Sequence, residues 1–218
     1  KVLQLSQKRF FYGEEDRKGK KTLWNIPIRL TYAIPSAKRQ SAKVRSKRFL
    51  MATKRKTIRI GKLPYEAWIK LNASQAGFFR VQYNEELLRK LYPAIESREL
   101  STLDRLGIEN DLWALVRSGD VLVTQYLELI EHYRNETEYA VWAELAGGLS
   151  GIIAFLRNEE YSSELYEFVR DIFVPVGSRL GWDSIEGERD LDALLRPLVI
   201  GVLGATNDQD TVREATRR

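Results

Sequence analysis

Residues that could carry catalysis or bind a metal are few in this sequence. Its 218 residues include a single histidine, His132, and no cysteine. Zinc sites and imidazole- or thiol-based catalysis need several such side chains together. His132 is expected near a helix C-terminus, where the helix dipole favours a protonated ring. The acidic pairs Glu159/Glu160 and Glu186/Glu188 are expected in loops or at helix ends, where a solvated surface is the default interpretation. We therefore predict no catalytic residue and no metal ligand in this chain.

Sequence motifs for metal and nucleotide chemistry are also absent. The chain contains no H-E-x-x-H, no G-x-x-x-x-G-K-[ST] and no G-x-G-x-x-G. Without cysteine it can form no disulfide, and a reducing compartment fits, so a cytoplasmic location is the expectation. No apolar run is expected to be long enough to cross a membrane.

One segment has an unusual charge. Residues 1–62 hold 19 Lys and Arg against three acids, whereas the remainder holds 16 basic and 27 acidic residues. The segment Lys38–Lys62 contains no acid at all. A nucleic-acid or anionic surface would have this composition, and so would a solvated hairpin. Because stacking aromatics and a recognised motif are missing, nucleic-acid binding is the disfavoured alternative, and residues 37–47 are predicted to be mobile and dispensable.

Short strands are predicted from residue 1 to about residue 84. Trp24–Tyr32 alternates apolar and other residues with a period of two, and Pro27 predicts an edge strand or a bulge there. Further strands are expected at Lys54–Ile60, Trp68–Leu71 and Phe78–Tyr83. Short strands without helices between them favour a small antiparallel β-sandwich.

Amphipathic helices are predicted from residue 85 onward. Ser101 and Asp104 resemble a capping box, Gly119 suits a helix end, and Thr137 is the expected cap of Glu138–Phe155. Ser162–Leu180 contains Pro175, which predicts a kink or a split. Consecutive helices joined by short loops favour an all-α, helical-hairpin or solenoid-like domain.

The predicted fold class is therefore a two-domain α+β protein, with a β-sandwich at 1–84 and a helical domain at 85–218. The first residues already alternate as in a strand, and the last ones lie in a helical pattern. We expect both ends to be cut and the helical domain to be truncated.

Six local phrases carry a resemblance to a known family. They are Ser6–Phe10, Trp24–Ile28, Trp68–Tyr83, Leu103–Leu112, Asn135–Trp142 and Leu180–Arg196. They are similar, in order, to T-Q-x-R-F, W-x-[IV]-P-[IV], K-x-N-x-x-x-x-G-[FY]-[YF]-R-V-x-Y, L-D-R-L-G-L-x-N-D-L, N-E-x-x-Y-x-V-W and L-G-W-x-x-x-x-G-E-x-x-x-L-D-x-L-L-R. Together they resemble the gluzincin zinc aminopeptidases, with the last phrases closest to the puromycin-sensitive branch. The basic richness of Lys38–Lys56 departs from that pattern.

The resemblance implies a role without catalysis. The chain would be the β-sandwich and the first half of the C-terminal helical domain, while the zinc-binding H-E-x-x-H-x₁₈-E and the G-A-M-E-N motif would lie upstream. Zinc would belong to the parent enzyme, whose partners would be peptide substrates and the missing catalytic domain. The chain would help to enclose the active site and bind peptide.

No catalytic residue can be carried over, and substrate-binding residues stay unassigned. The structural or interdomain candidates are Trp68, Gly77, Asp104, Arg105 and Trp142. Gly77 would permit a turn or a close approach. Arg105 would either pair across the domain junction or be exposed to solvent. Two other functional classes remain open: a basic β-domain that binds nucleic acid or anionic surfaces, and a helical scaffold for a protein partner.

Overall fold

The strands precede the helices along the chain. The computed structural model describes residues 1–13, 22–33 and 44–218. The strands are β1 Val2–Ser6, β2 Ile26–Ala33, β3 Arg45–Met51, β4 Arg55–Arg59 and β5 Trp68–Leu71, and β5 is followed by a one-turn 3₁₀ helix at Ala73–Gln75. The α-helices are α1 Glu85–Arg89, α2 Tyr92–Glu96, α3 Thr102–Arg117, α4 Val123–Glu131, α5 Tyr139–Leu156, α6 Ser162–Leu180, α7 Asp190–Ala205 and α8 Gln209–Arg217. The predicted α+β class, with antiparallel strands followed by helices, is confirmed.

The strands form two small antiparallel sheets that share one hydrophobic core. β1 pairs with β4, and β2 lies between β3 and β5. Leu3 and Ile58 of the first sheet pack in the same cluster as Ile28, Leu30 and Ile69 of the second. The period of two seen in the sequence places these residues on the inner faces of the sheets.

The position of β2 corrects one prediction. β2 is the central strand of its sheet, and its register with β3 runs without interruption from Ile26↔Met51 to Tyr32↔Arg45, so it is neither an edge strand nor bulged. Pro27 is tolerated because β5 pairs only with Leu30–Ala33. Pro27, which has no N–H to donate, therefore lies beyond the stretch of β2 that β5 pairs with.

The segment Phe78–Tyr83 corrects a second prediction, because it is not a strand. The backbone N–H of Val81 donates to Asp111 Oδ2 at 3.0 Å, so a helix side chain takes the place of a sheet partner. Phe79 packs against the core, whereas Phe78 is fully exposed and is not the apolar anchor that its type suggests.

The helices follow the predicted order with three local differences. α5 begins at Tyr139 with Glu138 as its N-cap, so Thr137 is not the cap. Phe155, at the end of the apolar pattern of α5, is 85% exposed and does not face inward. α6 continues through Pro175 and is not split. The Ser101 cap of α3 and the left-handed Gly119 after it are confirmed.

The chain divides into two compact units, residues 1–135 and 136–218. In the first unit α3 packs against α4, and in the second α7 packs against α5, α6 and α8. The change from strands to helices occurs at Asn84, which caps α1 by accepting the N–H of Leu87 at 3.0 Å. A domain boundary at residue 84 and a solenoid-like arrangement both remain predictions.

Helix α5 also changes the expectation about apolar runs. Its 18 residues have a mean hydropathy of 1.5, so by length and composition alone they could cross a membrane. The expectation that no run approaches that length is therefore wrong. Val141, Trp142, Leu145 and Leu149 are completely buried in the second unit, as in a core helix of a folded protein.

The basic segment is described only in part. Residues 34–43 and the predicted loop at 14–21 lie outside the described residues, so most of the predicted mobile stretch 37–47 does too. Arg45, Ser46 and Lys47 lie in strand β3 and pair with β2.

Candidate functional site

The most unusual feature of the first unit is a group of buried and half-buried polar side chains where β5 and the turn after it meet α3. We call it the junction cluster and define it as Lys70, Asn72, Tyr83, Asp104 and Asp111. Lys70 and Asn72 come from β5 and its end, Tyr83 from the segment before α1, and both aspartates from α3. Sequence reasoning singled out only Asp104 among these five.

Lys70 is the centre of the junction cluster and has no solvent exposure. It pairs in register with Thr31 of β2, on the face of the sheet opposite the apolar core. Its Nζ donates to the carbonyl of Leu71 at 2.6 Å and lies 3.8 Å from Asp104 Oδ1. Burial lowers the pKa of Lys70, while the charges of Asp104 and Asp111 oppose that change.

Asp104 connects the start of α3 to the turn after β5. Its own N–H donates to Ser101 Oγ at 3.2 Å, and that hydroxyl donates to Asp104 Oδ2 at 2.8 Å. The other oxygen, Oδ1, accepts the backbone N–H of Ser74 at 2.7 Å. Ser101 caps α3 and Asp104 lies three residues after it, as the capping-box pattern predicts, and the Asp104 carboxylate also binds the turn after β5.

Asp111 and Tyr83 satisfy backbone groups that have no sheet partner. Asp111 Oδ2 accepts from Val81, and Arg80 NH1 lies 3.6 Å from Asp111 Oδ1. Burial raises the pKa of Asp111 to about 6, against the opposing effects of the Val81 N–H, Lys70 and Arg80. Tyr83 Oη accepts the N–H of Leu71 at 2.8 Å, and burial raises the pKa of this phenol.

Asn72 holds the turn together from inside. Its Nδ2 donates to Gln75 Oε1, Gly77 O and Phe79 O at 3.1, 2.9 and 3.2 Å, and its Oδ1 accepts from Gly77 N at 2.8 Å. Asn72, Ser74 and Gln75 all have positive φ angles, of 52°, 59° and 50°. Non-glycine residues in this region carry strain that the surroundings must offset. A Cβ at Gly77 would lie 2.4 Å from a ring carbon of Phe79, so the predicted close approach is present.

Arg105, next to Asp104 on α3, is buried and not solvent-exposed. Its NH1 donates to the carbonyl of Leu100 at 2.6 Å, and its own carbonyl accepts from Tyr133 Oη at 2.7 Å. These bonds connect α3 to the preceding loop and to the end of α4 within one unit. Whether Arg105 also acts between domains stays a prediction.

The two predicted tryptophans belong to different units. Trp68 is 2% exposed, and its Nε1 donates to Glu99 Oε1 at 3.3 Å. Trp142 is completely buried, donates to the carbonyl of Glu136 at 3.2 Å, and stacks edge-on with Phe173 at 5.2 Å between ring centroids. Each ring therefore anchors its own unit, and a direct interdomain role for either stays a prediction.

The polar groups of the described residues make contacts between secondary-structure elements. In the described ranges no group of three or more His, Asp and Glu side chains is placed to hold a metal ion. His132, the C-cap of α4, has its Nδ1 2.6 Å from Glu96 Oε1 and stacks on Tyr92 at 3.9 Å. The contacts of the junction cluster and of His132 position secondary-structure elements, and neither set combines a nucleophile with a base.

Comparison with known proteins agrees with this description. The sequence model of the ERAP1-like C-terminal domain matches residues 68–218. The chain belongs to this family. The matched range begins at β5, includes all five residues of the junction cluster and continues through the described helices.

Relatives of this ERAP1-like C-terminal domain are named as aminopeptidases. The rice (Oryza sativa subsp. japonica) protein "Aminopeptidase M1-A" is 34% identical over 99% of this chain and 24% of its own length. The Caenorhabditis elegans "Puromycin-sensitive aminopeptidase" is 33% identical over 100% of this chain and 22% of its own length. "Aminopeptidase M1" of Arabidopsis thaliana is 35% identical over 70% of the chain and 18% of its length. The chain thus spans about a quarter or less of these relatives.

The residues that sequence reasoning missed lie inside the phrases that carried the resemblance. Lys70 had a signal of its own, since a lysine inside the apolar run Trp-Ile-Lys-Leu of a buried strand requires a partner. Asp111 had a weaker one, a carboxylate on the buried face of α3. Their mutual proximity depends on the path of the Asn72 turn, which no periodicity predicts.

Proposed function

We propose that this chain is a non-catalytic part of a zinc-dependent aminopeptidase, namely its β-sandwich and the first half of its C-terminal helical domain. The single observation that carries this proposal is the family match over 68–218 together with relatives that are named as aminopeptidases. The parent enzyme would remove N-terminal residues from peptides, and its location would be cytoplasmic.

Zinc would be bound by another part of the parent. One histidine and no cysteine do not fit the usual three-ligand set, and the described acids provide no alternative group. When bound in the parent, zinc would polarise the peptide carbonyl and activate water. We assign no ligand and no reaction step to this chain.

This chain would position the helical wall and help to enclose the active site of the parent enzyme. The junction cluster ties α3 to the segment after β5 through part-buried hydrogen bonds from the N–H groups of Ser74 and Val81, and Tyr83 holds β5 through the N–H of Leu71. A rigid connection of this kind suits an element that holds a helical wall over a peptide-binding chamber. Trp68, Gly77, Asp104, Arg105 and Trp142 are proposed as residues that maintain this arrangement.

The experiment that tests the proposal compares the chain with the product of its complete gene. The 218-residue chain should show no hydrolysis of aminoacyl reporter substrates and no stoichiometric zinc. The complete product should hydrolyse them, lose activity on chelation and regain it with zinc. Two results would contradict the proposal: chelation-sensitive, zinc-restored activity in the 218-residue chain, or a complete product that lacks aminopeptidase activity.

A further inference from the structure

Strand β3 lies at one end of its sheet. Among the described residues it pairs with β2 on one side and with no strand on the other, and we call this second side its free edge. An edge strand exposes a row of N–H donors and C=O acceptors to which another extended chain can add. β3 has seven residues. At roughly 3.3 Å per residue, its edge offers about 23 Å of pairing length.

The charges on β3 have no counterions among the described residues. Arg45, Lys47 and Arg48 are exposed, and none lies within 4 Å of a described carboxylate. Lys47 Nζ donates to the carbonyl of Arg59 at 3.0 Å instead. Elsewhere in the same unit, by contrast, Lys8 pairs with Asp120 at 2.7 Å.

The register adds a second sign of missing negative charge. Arg48 of β3 lies directly opposite Arg29 of β2. Like charges at opposite positions of an antiparallel pair destabilise it. The Nε of Arg29 is buried and finds no hydrogen-bond partner among the described residues. An anionic group beside Arg48 would offset the like-charge pairing.

We propose that the free edge of β3 binds an acidic peptide segment, which adds to the sheet as a further strand. A phosphate polymer matches the charge but offers only acceptors, whereas a peptide strand supplies both N–H and C=O groups to the edge. Side chains alternate along β3, so Arg45 and Lys47 lie on one face and Arg48 and Leu50 on the other. Leu50 is 50% exposed and provides an apolar contact near one end. A second copy of β3 is excluded because its own charges repel.

This inference goes beyond the proposed function and does not depend on it. It concerns binding by the chain itself, so it can fail while the parent is an aminopeptidase, and it can hold if the parent is not. The probe is a fluorescein-labelled heptapeptide rich in Glu with two Val residues, acetylated and amidated, titrated into the 218-residue chain at physiological salt.

Matched double variants separate edge pairing from general charge. R45Q/R48Q removes two charges from β3, and R157Q/R213Q removes two exposed charges at the end of α5 and in α8. We expect R45Q/R48Q to weaken peptide binding about tenfold or more, since charge-assisted hydrogen bonds are lost. R157Q/R213Q should leave the affinity within about twofold, because an exposed charge that does not lie on a sheet edge contributes little. Circular dichroism checks that both variants remain folded.

Backbone pairing has its own test. Two further heptapeptides carry N-methyl groups at alternate peptide nitrogens, in opposite phases, with unchanged charge. The peptide whose N-methyl groups would face β3 should lose binding, and the one whose N-methyl groups face away from β3 should keep it. The proposal is overturned by equal losses in both double variants, by equal binding of both methylated peptides, by no measurable peptide binding, or by tighter binding of a single-stranded oligothymidylate.

Discussion

Asp104 Oδ1 and the backbone nitrogen of Ser74 are 2.7 Å apart, and this hydrogen bond ties the first turn of α3 to the strained turn after β5. Ser74 has a φ of 59°, a conformation that its own side chain does not favour. Asp104 also lies 3.8 Å from the buried Lys70, so one carboxylate balances a buried charge and satisfies an isolated N–H. These contacts with Ser74 and Lys70 account for an Asp, at position 104, three residues after the N-cap Ser101.

Removing this carboxylate should destabilise the first unit strongly. Asp104→Ala leaves Lys70 without its nearest counterion and the Ser74 N–H without an acceptor. We expect a loss of about 3 kcal/mol in the free energy of unfolding, as for other broken buried pairs. Urea denaturation followed by circular dichroism measures it.

The control for Asp104 is Asp210→Ala. Asp210 also lies in the first turn of its helix, but its pair with Arg213 is exposed. Its removal should cost less than about 1 kcal/mol. Equal effects of the two substitutions would show that burial of the Asp104 site contributes nothing to stability.

Two tryptophans should report on two separate cores. Trp68→Ala acts in the first unit and Trp142→Ala in the second, and each ring is 2% exposed or less. Each substitution should cost roughly 3–5 kcal/mol in its own unit. Trp24, which is 40% exposed, is the control, and Trp24→Ala should cost far less. Circular dichroism follows the thermal unfolding of each variant. If in both core variants the two units unfold in one transition at a single temperature, the two-core interpretation is wrong.

The sequence predicted most elements because their patterns are local. Alternation in β2 and the Ser101 and Gly119 signals of α3 depend only on neighbouring residues. The errors share a different cause. The N–H of Val81 donates to Asp111, which lies on a helix about 30 residues later in the chain. The segment around Val81 has the alternation of a strand but pairs with this helix side chain and not with another strand. Pro27 suggested an edge strand, although β5 simply does not extend that far.

The candidate site was predictable only in part for the same reason. Asp104 carried a local capping signal and was found. Lys70, Tyr83 and Asp111 come close together because Asn72 and Gln75 adopt positive φ angles. Neither residue is a glycine, so the sequence did not indicate a left-handed turn at these positions. Long-range proximity created by an unusual turn leaves no periodic trace in the sequence.

Asp111 should give the chain a pH-dependent stability. Its pKa is raised to about 6 in the folded state, above its usual value near 3.9 when unfolded. Between about pH 4 and pH 6 the folded state therefore binds more protons than the unfolded state, and its stability falls as the pH rises. Above about pH 6 the stability that protonated Asp111 contributes is completely lost. Asp111→Asn removes this titration while keeping an acceptor for the Val81 N–H.

The measurement for Asp111 is the difference in unfolding free energy between Asp111→Asn and the wild type from pH 4 to pH 7. Relative to the wild type, the variant should gain up to about 2 kcal/mol across this range. Other carboxylates cancel in the difference. A difference that does not change with pH would contradict the raised pKa.

Two helical glycines should respond in opposite directions to the same substitution. A Cβ at Gly107 of α3 would lie 1.3 Å from the Nε2 of Gln75, whereas a Cβ at Gly147 of α5 would meet nothing within 4 Å. Gly107→Ala should therefore destabilise by about 1–3 kcal/mol through overpacking. Gly147→Ala should stabilise by about 0.5–1 kcal/mol, because alanine is the better helix former.

A second change identifies the cause of the Gly107 effect. Gln75 has a φ of 50°, which glycine adopts freely, so Gln75→Gly removes the clashing amide without adding backbone strain. The double variant G107A/Q75G should recover most of the stability that Gly107→Ala loses, beyond the sum of the two single effects in urea denaturation. Strict additivity would mean that the Gln75 side chain moves aside at no cost, and that Gly107 is required for some other contact of α3.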